Sequence, residues 1–465
     1  MSRVPLNRAR SYIIKTVAII GGGPGGLFTA YGIQRLVDRP LHVTIFEAES
    51  RLGGKVHTAQ FDSVAQRYEV GAAEFYDYEK VGEDALKDLV RELGLPIRHM
   101  SGSMVLMDGE PVANIDDIRD RLGSDAADAL LDFDRRARDR LSRREFYASG
   151  DWPVPGRADD RRFDKVLAEI GHPKARAYVE HLIHSDLATE PTHTNIEYGL
   201  QNYLMNDPKY MHLYSIEGGN DRLMTSIAAR LDAAVRLRCR VQRVTRSARG
   251  GFVLQVVEDG VPREHEFDAV IAALPHNAMA HVDFSGPKLS AAVAAHQSHH
   301  DHAAHYLRVT LLYEEPFWRE HVHGSFWMLD HFGGCCLYDE SLRDPTASHG
   351  VLGWLLAGDA ARDLARETDE EVVRQVLASL PKMLHADGRT PLEARVHRWI
   401  GAVSAMPGGI HPMTLDQRHC PEPIDHPHFF IVGDYLYDST LNGVLDSAEY
   451  VAAWVAAQVA QDSTS

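Results

Sequence analysis

The sequence predicts an α/β fold in which a discontinuous, Rossmann-type nucleotide-binding domain is interrupted by an inserted α+β domain, and three observations carry that reading. A β-branched strand at Thr16–Ile20 runs directly into Gly21-Gly22-Gly23-Pro24-Gly25-Gly26. A second apolar strand at 41–46 ends on Glu47, and comparable short apolar strands recur only much later, at 269–274 and 429–432. The first strand alternates too little to be half exposed, so it reads as a central strand of a parallel sheet covered on both faces. A helix is expected over 27–37, where Ala30, Ile33, Leu36 and Val37 share one face.

The glycines have separate tasks. Gly21 permits the tight turn, Gly23 lets backbone approach a pyrophosphate, and Gly26 allows the helix to pack closely on the strand. With Pro24 and Gly25 they form the first set of cofactor-binding candidates. Glu47, followed by Ala48, supplies a carboxylate able to accept both ribose hydroxyls of an adenosine. No Lys-Ser/Thr pair follows the glycines, which excludes a P-loop ATPase.

Composition narrows the remaining classes. At 465 residues and 44% hydrophobic, the chain is long for one domain and predicts two. Its 66 acidic against 49 basic residues give a net charge of −17, which opposes binding to nucleic acid or an anionic membrane surface. The apolar run 13–20 is short, is broken by Lys15 and leads into the glycine loop, so no membrane insertion is expected. Cys239, Cys335, Cys336 and Cys420 contain no CxxC, which suits a reducing, cytoplasmic setting and argues against a thiolate metal site.

The continuation Glu47-Ala48-Glu49-Ser50-Arg51-Leu52-Gly53-Gly54-Lys55 resembles the second motif of the flavin amine-oxidase superfamily, E-x3-R-x-G-G-R, with Lys55 in place of the usual arginine. Arg51 and Lys55 would face the pyrophosphate charge, and Gly54 would let the chain pass close beneath it. Glu69-Val70-Gly71-Ala72-Ala73 resembles the D-x-G-A segment beside the flavin. Gly218–Leu223, a helix to 231 and strands at 235–237 and 240–244 resemble the family's middle cofactor segment, with Val241 against the adenine. Gly433-Asp434 matches the terminal G-D whose aspartate binds ribitol, and the last helix opens at 439–443, with Gly443 and Val444 near the flavin N1–C2=O edge. The resemblance implies a two-dinucleotide-motif FAD-binding Rossmann domain with FAD held non-covalently.

That domain is expected to comprise 1–80, 211–285 and 400–465, leaving 81–210 and 286–399 as a substrate domain. Charged, periodic stretches at 84–93 and 116–144 predict a helical cap, and strand-like stretches at 306–313, 324–329 and 350–356 predict a mixed sheet forming the cavity floor. Residues 461–465 read as a disordered tail.

Tyr313-Glu314-Glu315-Pro316-Phe317-Trp318 is similar to a strand of monoamine and polyamine oxidases, and the match places Arg308 where those enzymes carry a lysine that holds water at flavin N5. A guanidinium lacks the compact ammonium geometry, which leaves O2 reactivity open; the bland alternative is a salt-bridged strand residue. Glu74 stands where L-amino-acid oxidases place an arginine, and it suits a cation instead. Trp399, within Arg398-Trp399-Ile400, resembles the flavin-lining segment together with 406–409, and no cysteine between them invites a covalent thioether. Gly401 and Thr440 stand where monoamine oxidases carry facing tyrosines. Arg308, Glu74 and Trp399 are thus the catalytic candidates, and Phe75, Tyr76, Trp327 and Trp399 the candidate aromatic walls.

The cluster His296, His299, His300, His302 and His305 lacks recurring carboxylate or cysteine partners, so no metal site is assigned. The expected activity is oxidation of a small amine or amino-acid-derived substrate by hydride transfer to flavin N5, with imine and H2O2 as products where O2 is the acceptor. The alternatives are a carbon–carbon desaturase of phytoene-desaturase or protoporphyrinogen-oxidase type, and a non-enzymatic binder of the GDP-dissociation-inhibitor type. The oligomeric state is left open.

Overall fold

In the computed structural model, residues 14–102, 104–147, 162–344, 347–385, 388–405 and 413–461 are described. The 406–409 segment and the tail beyond 461 lie outside them. Five parallel strands form one sheet, in the order Ala234–Arg236, His42–Phe46, Thr16–Ile20, Ala269–Ala272, Phe429–Ile431. Thr16–Ile20 lies in the middle with everything after Thr16 buried, as a continuous apolar run requires. The chain returns to this sheet from segments hundreds of residues apart; Ala269–Ala272 and Phe429–Ile431 are wholly buried in it, whereas Ala234–Arg236 is an exposed edge.

The first helix, Pro24–Leu36, starts three residues earlier than expected, because proline suits the first helical turn, where its missing N–H costs nothing. The helix packs against the terminal helix Leu441–Gln461. A Cβ built on Gly26 would fall 2.0 Å from the Gly21 carbonyl oxygen, so the third glycine of the motif serves helix–strand contact.

A second sheet, of seven strands, runs Glu393–Ser404, Ala303–Tyr313, Gly350–Ala357, Cys335–Asp339, Phe326–Leu329, Val105–Met107, Glu110–Val112. It is mixed, being antiparallel except where Phe326–Leu329 pairs parallel with Val105–Met107. Two of its strands come from the segment expected to be a mostly helical cap, and Glu393–Ser404 runs through position 400. The cap helices themselves are Ile115–Leu122, Ser124–Arg140, Arg143–Tyr147, Phe163–Leu167, Pro173–Leu187 and Ile196–Leu204. The helical stretch expected at 116–144 is divided at Gly123, whose φ of 103° lies outside helical space. All four cysteines are free and buried. No helix of the described residues is long and apolar enough to cross a membrane.

Candidate active site

One cavity of about 570 Å³ runs between the two sheets and joins most of the residues singled out from sequence. One end is lined by Glu47, Ala48, Cys239, Arg240 and Val241, and the middle by Gly21, Gly23, Pro24, Gly25, Gly54, Lys55 and Asp434. At the far end lie Gly71, Ala72, Ala73, Glu74, Tyr76, Tyr306, Leu355, Trp399, Thr440, Asn442 and Val444.

The middle is built for a charged backbone. Lys55 Nζ donates to Asp434 Oδ2 at 2.8 Å and to the Ala402 carbonyl at 2.6 Å, bringing together two groups that are 379 residues apart in sequence. Glu47 faces the cavity from the end of its strand, its Oε2 accepting from Gly22 N at 2.7 Å and its Oε1 from Glu49 N at 2.7 Å. A Cβ on Gly23 would find nothing nearer than Gly54 Cα at 3.8 Å, so bare backbone forms the wall where a phosphate would lie. An adenosine fits at Glu47 and Val241, a pyrophosphate along the glycine loop, and a ribityl chain at Asp434. In that order a flavin ring would lie at the aromatic far end.

Several expected cofactor contacts fall behind the wall instead. Arg51 braces its own turn, donating to the carbonyls of Leu52 at 3.2 Å and Gly54 at 2.8 Å, and does not line the cavity. Gly26 packs on the strand. Gly443 is also off the wall: a Cβ there would lie 2.2 Å from the Asp438 carbonyl oxygen, so this glycine accommodates Asp438 and not the cofactor.

The substrate end corrects Arg308. Its side chain is fully buried and absent from the wall, ion-paired to Glu340 and donating through Nε to the Glu69 carbonyl at 2.6 Å. Glu340 also pairs with Arg343 at 2.9 Å, and Arg343 donates to the Ala73 carbonyl. Asn220 Nδ2 adds bonds of 2.9 Å to the Ala72 carbonyl and 3.0 Å to that of Ala73. This buried network holds the 69–73 segment rigid where it passes the ring position. Arg308 is therefore a positioning residue, closer to the salt-bridged alternative than to a surrogate for the lysine. Burial, opposed by Arg343 and by bonds from Asn220 and Thr58, pushes the Glu69 carboxyl up to about 7.

Register places the aromatic side chains. Tyr306 pairs across the sheet with Trp399, and Arg308 with Leu355 on the other side. Tyr306, Trp399 and Leu355 all reach the cavity, and Trp399 Nε1 donates to the Val70 carbonyl at 2.8 Å. Phe75 and Tyr76 also line it, but Trp327 does not: it sits in the core of the second sheet. Thr440 lines the cavity, whereas Gly401 turns away at a bulge, its N–H bonded to His305 Nδ1 at 2.9 Å.

Glu74 faces this aromatic end with Oε2 buried and without a hydrogen-bond partner. Burial raises its pKa, opposed by Arg343 and Arg308. A second acid, Asp186 on the helix Pro173–Leu187, was not singled out from sequence. Burial, and then the charge of Glu74, holds it well above the ordinary carboxylate range. One acid among several charged residues of a helix is no signal by itself; only the folded cap brings it to Glu74. The histidines do not enter the cavity. His296 and His300 pack around Tyr435 and are pushed down to about 3 and about 2, by burial first and then by neighbouring histidines, which keeps them neutral. No group of three or more metal-ligating side chains occurs among the described residues.

Fold and site together define an FAD-dependent oxidoreductase. The match to known proteins gives the family: the profile described as flavin containing amine oxidoreductase covers residues 25–456, and the chain belongs to it. A protein named "Probable polyamine oxidase 4" from Arabidopsis thaliana is 24% identical over 449 residues, 91% of this chain and 83% of that protein. A putrescine oxidase solved with putrescine bound superposes with a TM-score of 0.73 at 20% identity, over 95% of this chain and 99% of its own. Cyclohexylamine oxidase from Brevibacterium oxydans IH-35A gives 0.73 at 19% identity, over 96% and 100%.

Proposed function

We propose that the chain oxidises a cationic amine, with a diamine or polyamine favoured over an amino acid, and the observation that carries this is the Glu74 carboxyl in an aromatic recess, whose buried Oε2 has no hydrogen-bond partner. Glu74 would attract the ammonium group, and the same carboxyl would repel the carboxylate of an amino acid. That neighbours in the family are named as polyamine, putrescine and cyclohexylamine oxidases supports the class.

FAD, when bound, accepts the hydride from the carbon next to nitrogen and passes the electrons on, with O2 as acceptor in this reading. The protein has the rest to do. Tyr76, Tyr306 and Trp399 exclude water around the reacting carbon, and that low dielectric lowers the amine's pKa so that it is neutral at transfer. Lys55 and Asp434 anchor the cofactor's phosphate and ribityl regions. The network of Glu69, Arg308, Glu340 and Arg343 keeps the flavin-flanking backbone in place.

The test is anaerobic bleaching of the flavin absorbance by putrescine, spermidine, cyclohexylamine, simple monoamines and L-amino acids, followed by air. Diamines and polyamines should bleach fastest, and air should restore the colour with release of H2O2. A flavin left oxidised by the whole panel sinks the amine reading; bleaching by a carbon–carbon hydride donor instead would establish the desaturase alternative.

A further inference from the structure

Directly behind the wall formed by Ser439, Thr440, Leu441 and Asn442 lies a carboxyl that amine binding does not use. Asp438 is only 5% exposed, and its Oδ1 has no hydrogen-bond partner. Oδ2 accepts from the Thr440 hydroxyl at 3.4 Å, and the Gln201 side chain and Ser439 N–H also face the carboxyl. Its position is fixed by the close approach at Gly443, where an added Cβ would lie 2.8 Å from Asp438 Cβ. The carboxyl is therefore held beneath the first turn of the helix Leu441–Gln461, one layer of backbone from the ring end of the cavity.

Asp446 faces it from the same helix, and Gln201 and Tyr198 from Ile196–Leu204. Tyr78 follows the strand Phe75–Asp77, and Tyr147 ends Arg143–Tyr147. Asp84 caps the helix Ala85–Glu92 and accepts from Asn442 Nδ2 at 3.1 Å. Burial raises all three phenols, so they stay neutral. The groups acting most strongly on Asp438 include no cation.

We propose that Asp438 is a redox-linked proton acceptor that sets the reduction potential of the bound flavin. Reduction delivers two electrons and one proton to the ring and leaves it with a negative charge. In a low-dielectric interior an ionised carboxyl behind the same wall opposes that charge, and the opposition is relieved when Asp438 takes a second proton from solvent on its unpartnered Oδ1. The carboxyl is poised for this: burial, with the Asp446 charge, pushes it up to about 7. Sign follows directly. Above that value ionised Asp438 lowers the potential, and below it the protonated form does not. The inference rests on flavin binding and not on the amine substrate.

The experiment is an anaerobic redox titration of the FAD-loaded protein with dithionite and a reference dye, at pH values on either side of about 7. Dithionite keeps the result independent of substrate. Wild type should show a steeper fall of potential with pH than Asp438→Asn, with the variant lying higher at the alkaline end and the two converging at the acid end. Wild type alone, reduced in weak buffer with a pH indicator, should take up more protons per flavin near neutrality than at either extreme. Asp446→Asn should move that excess to lower pH without abolishing it. Superimposed curves for wild type and Asp438→Asn, a constant proton count, or loss of the excess in Asp446→Asn would each overturn the proposal. If Asp438→Asn fails to retain FAD, the wild-type proton count decides.

Discussion

At the nucleotide end the cavity wall is largely backbone, formed by Gly21, Gly23, Gly25 and Gly54 with Lys55 and Asp434 set among them. At the other end it is side chains, Glu74, Tyr76, Tyr306, Leu355 and Trp399, projected from a mixed sheet and backed by buried ion pairs. Backbone contacts demand particular glycines at particular spacings, because one added Cβ collides. Side-chain contacts demand only that some residue of suitable chemistry reach the space, and several positions on several strands can supply it. The first kind of wall suits a cofactor common to the family, and the second, in the proposed reading, would meet the particular substrate.

That contrast can be broken at either end, and the largest effect is expected at the nucleotide end. Gly26→Ala places a Cβ 2.0 Å from the Gly21 carbonyl oxygen, so the helix must leave the strand. The purified variant should be colourless or lose FAD on gel filtration, with affinity reduced by roughly 100-fold or more, about 2.7 kcal/mol; a yellow variant with native flavin content would contradict the packing argument.

Next in size is the buried pair behind the substrate wall. Arg308→Ala leaves Glu340 with Arg343 alone in the interior, and a loss of about 3–5 kcal/mol is expected, read as a lower midpoint in urea unfolding. Arg308→Lys should recover part of it. If instead stability is unchanged and only reoxidation of the flavin by O2 slows, Arg308 acts at the flavin and the positioning role is wrong.

Glu74→Gln should leave FAD content unchanged and weaken amine binding by roughly 10- to 100-fold, about 1.4–2.8 kcal/mol, as for a lost charge-assisted contact. Its pH signature has a definite sign. Burial raises the Glu74 pKa, so cation affinity is present above that raised value and is lost as pH falls through it. In Glu74→Gln this acid limb should disappear from the pH profile of binding. An unaltered limb would assign it to another group, Asp186 first.

The smallest effect belongs to Trp399→Phe, which keeps an aromatic wall and removes the bond to the Val70 carbonyl. About 1 kcal/mol of stability and a change of a few-fold in amine KM are expected, with no change in flavin content. A large drop in FAD occupancy would mean that the two ends are not separable.

The nucleotide end was legible because its requirements are local. Gly21 to Gly26, Glu47 and the Gly433-Asp434 pair could be read from strand, turn and helix patterns, and the fold brings Glu47, Lys55 and Asp434 to one cavity. Even there, Arg51 and Gly443 matched the pattern but serve the wall from behind, since a motif records which residue is required and not which neighbour requires it. At the substrate end Arg308 was located by its strand, yet its direction depended on Glu340, a partner 32 residues away in a short helical turn. Asp186 carried no signal at all.

By itself, then, the sequence determined the parallel sheet and the glycine loop, because each rests on short-range sterics or on strand burial that any continuation of the chain must respect. The FAD and the family followed from the motifs that resemble the flavin amine-oxidase superfamily. Tertiary structure alone decided which charges are paired and which face the cavity. Arg308 is fully buried and Glu74 part-buried, and both are conspicuous in sequence. One is neutralised by a carboxylate that packing brings to it, and the other is left with an open oxygen, and that distinction exists only once the sheet and the cap have closed around them.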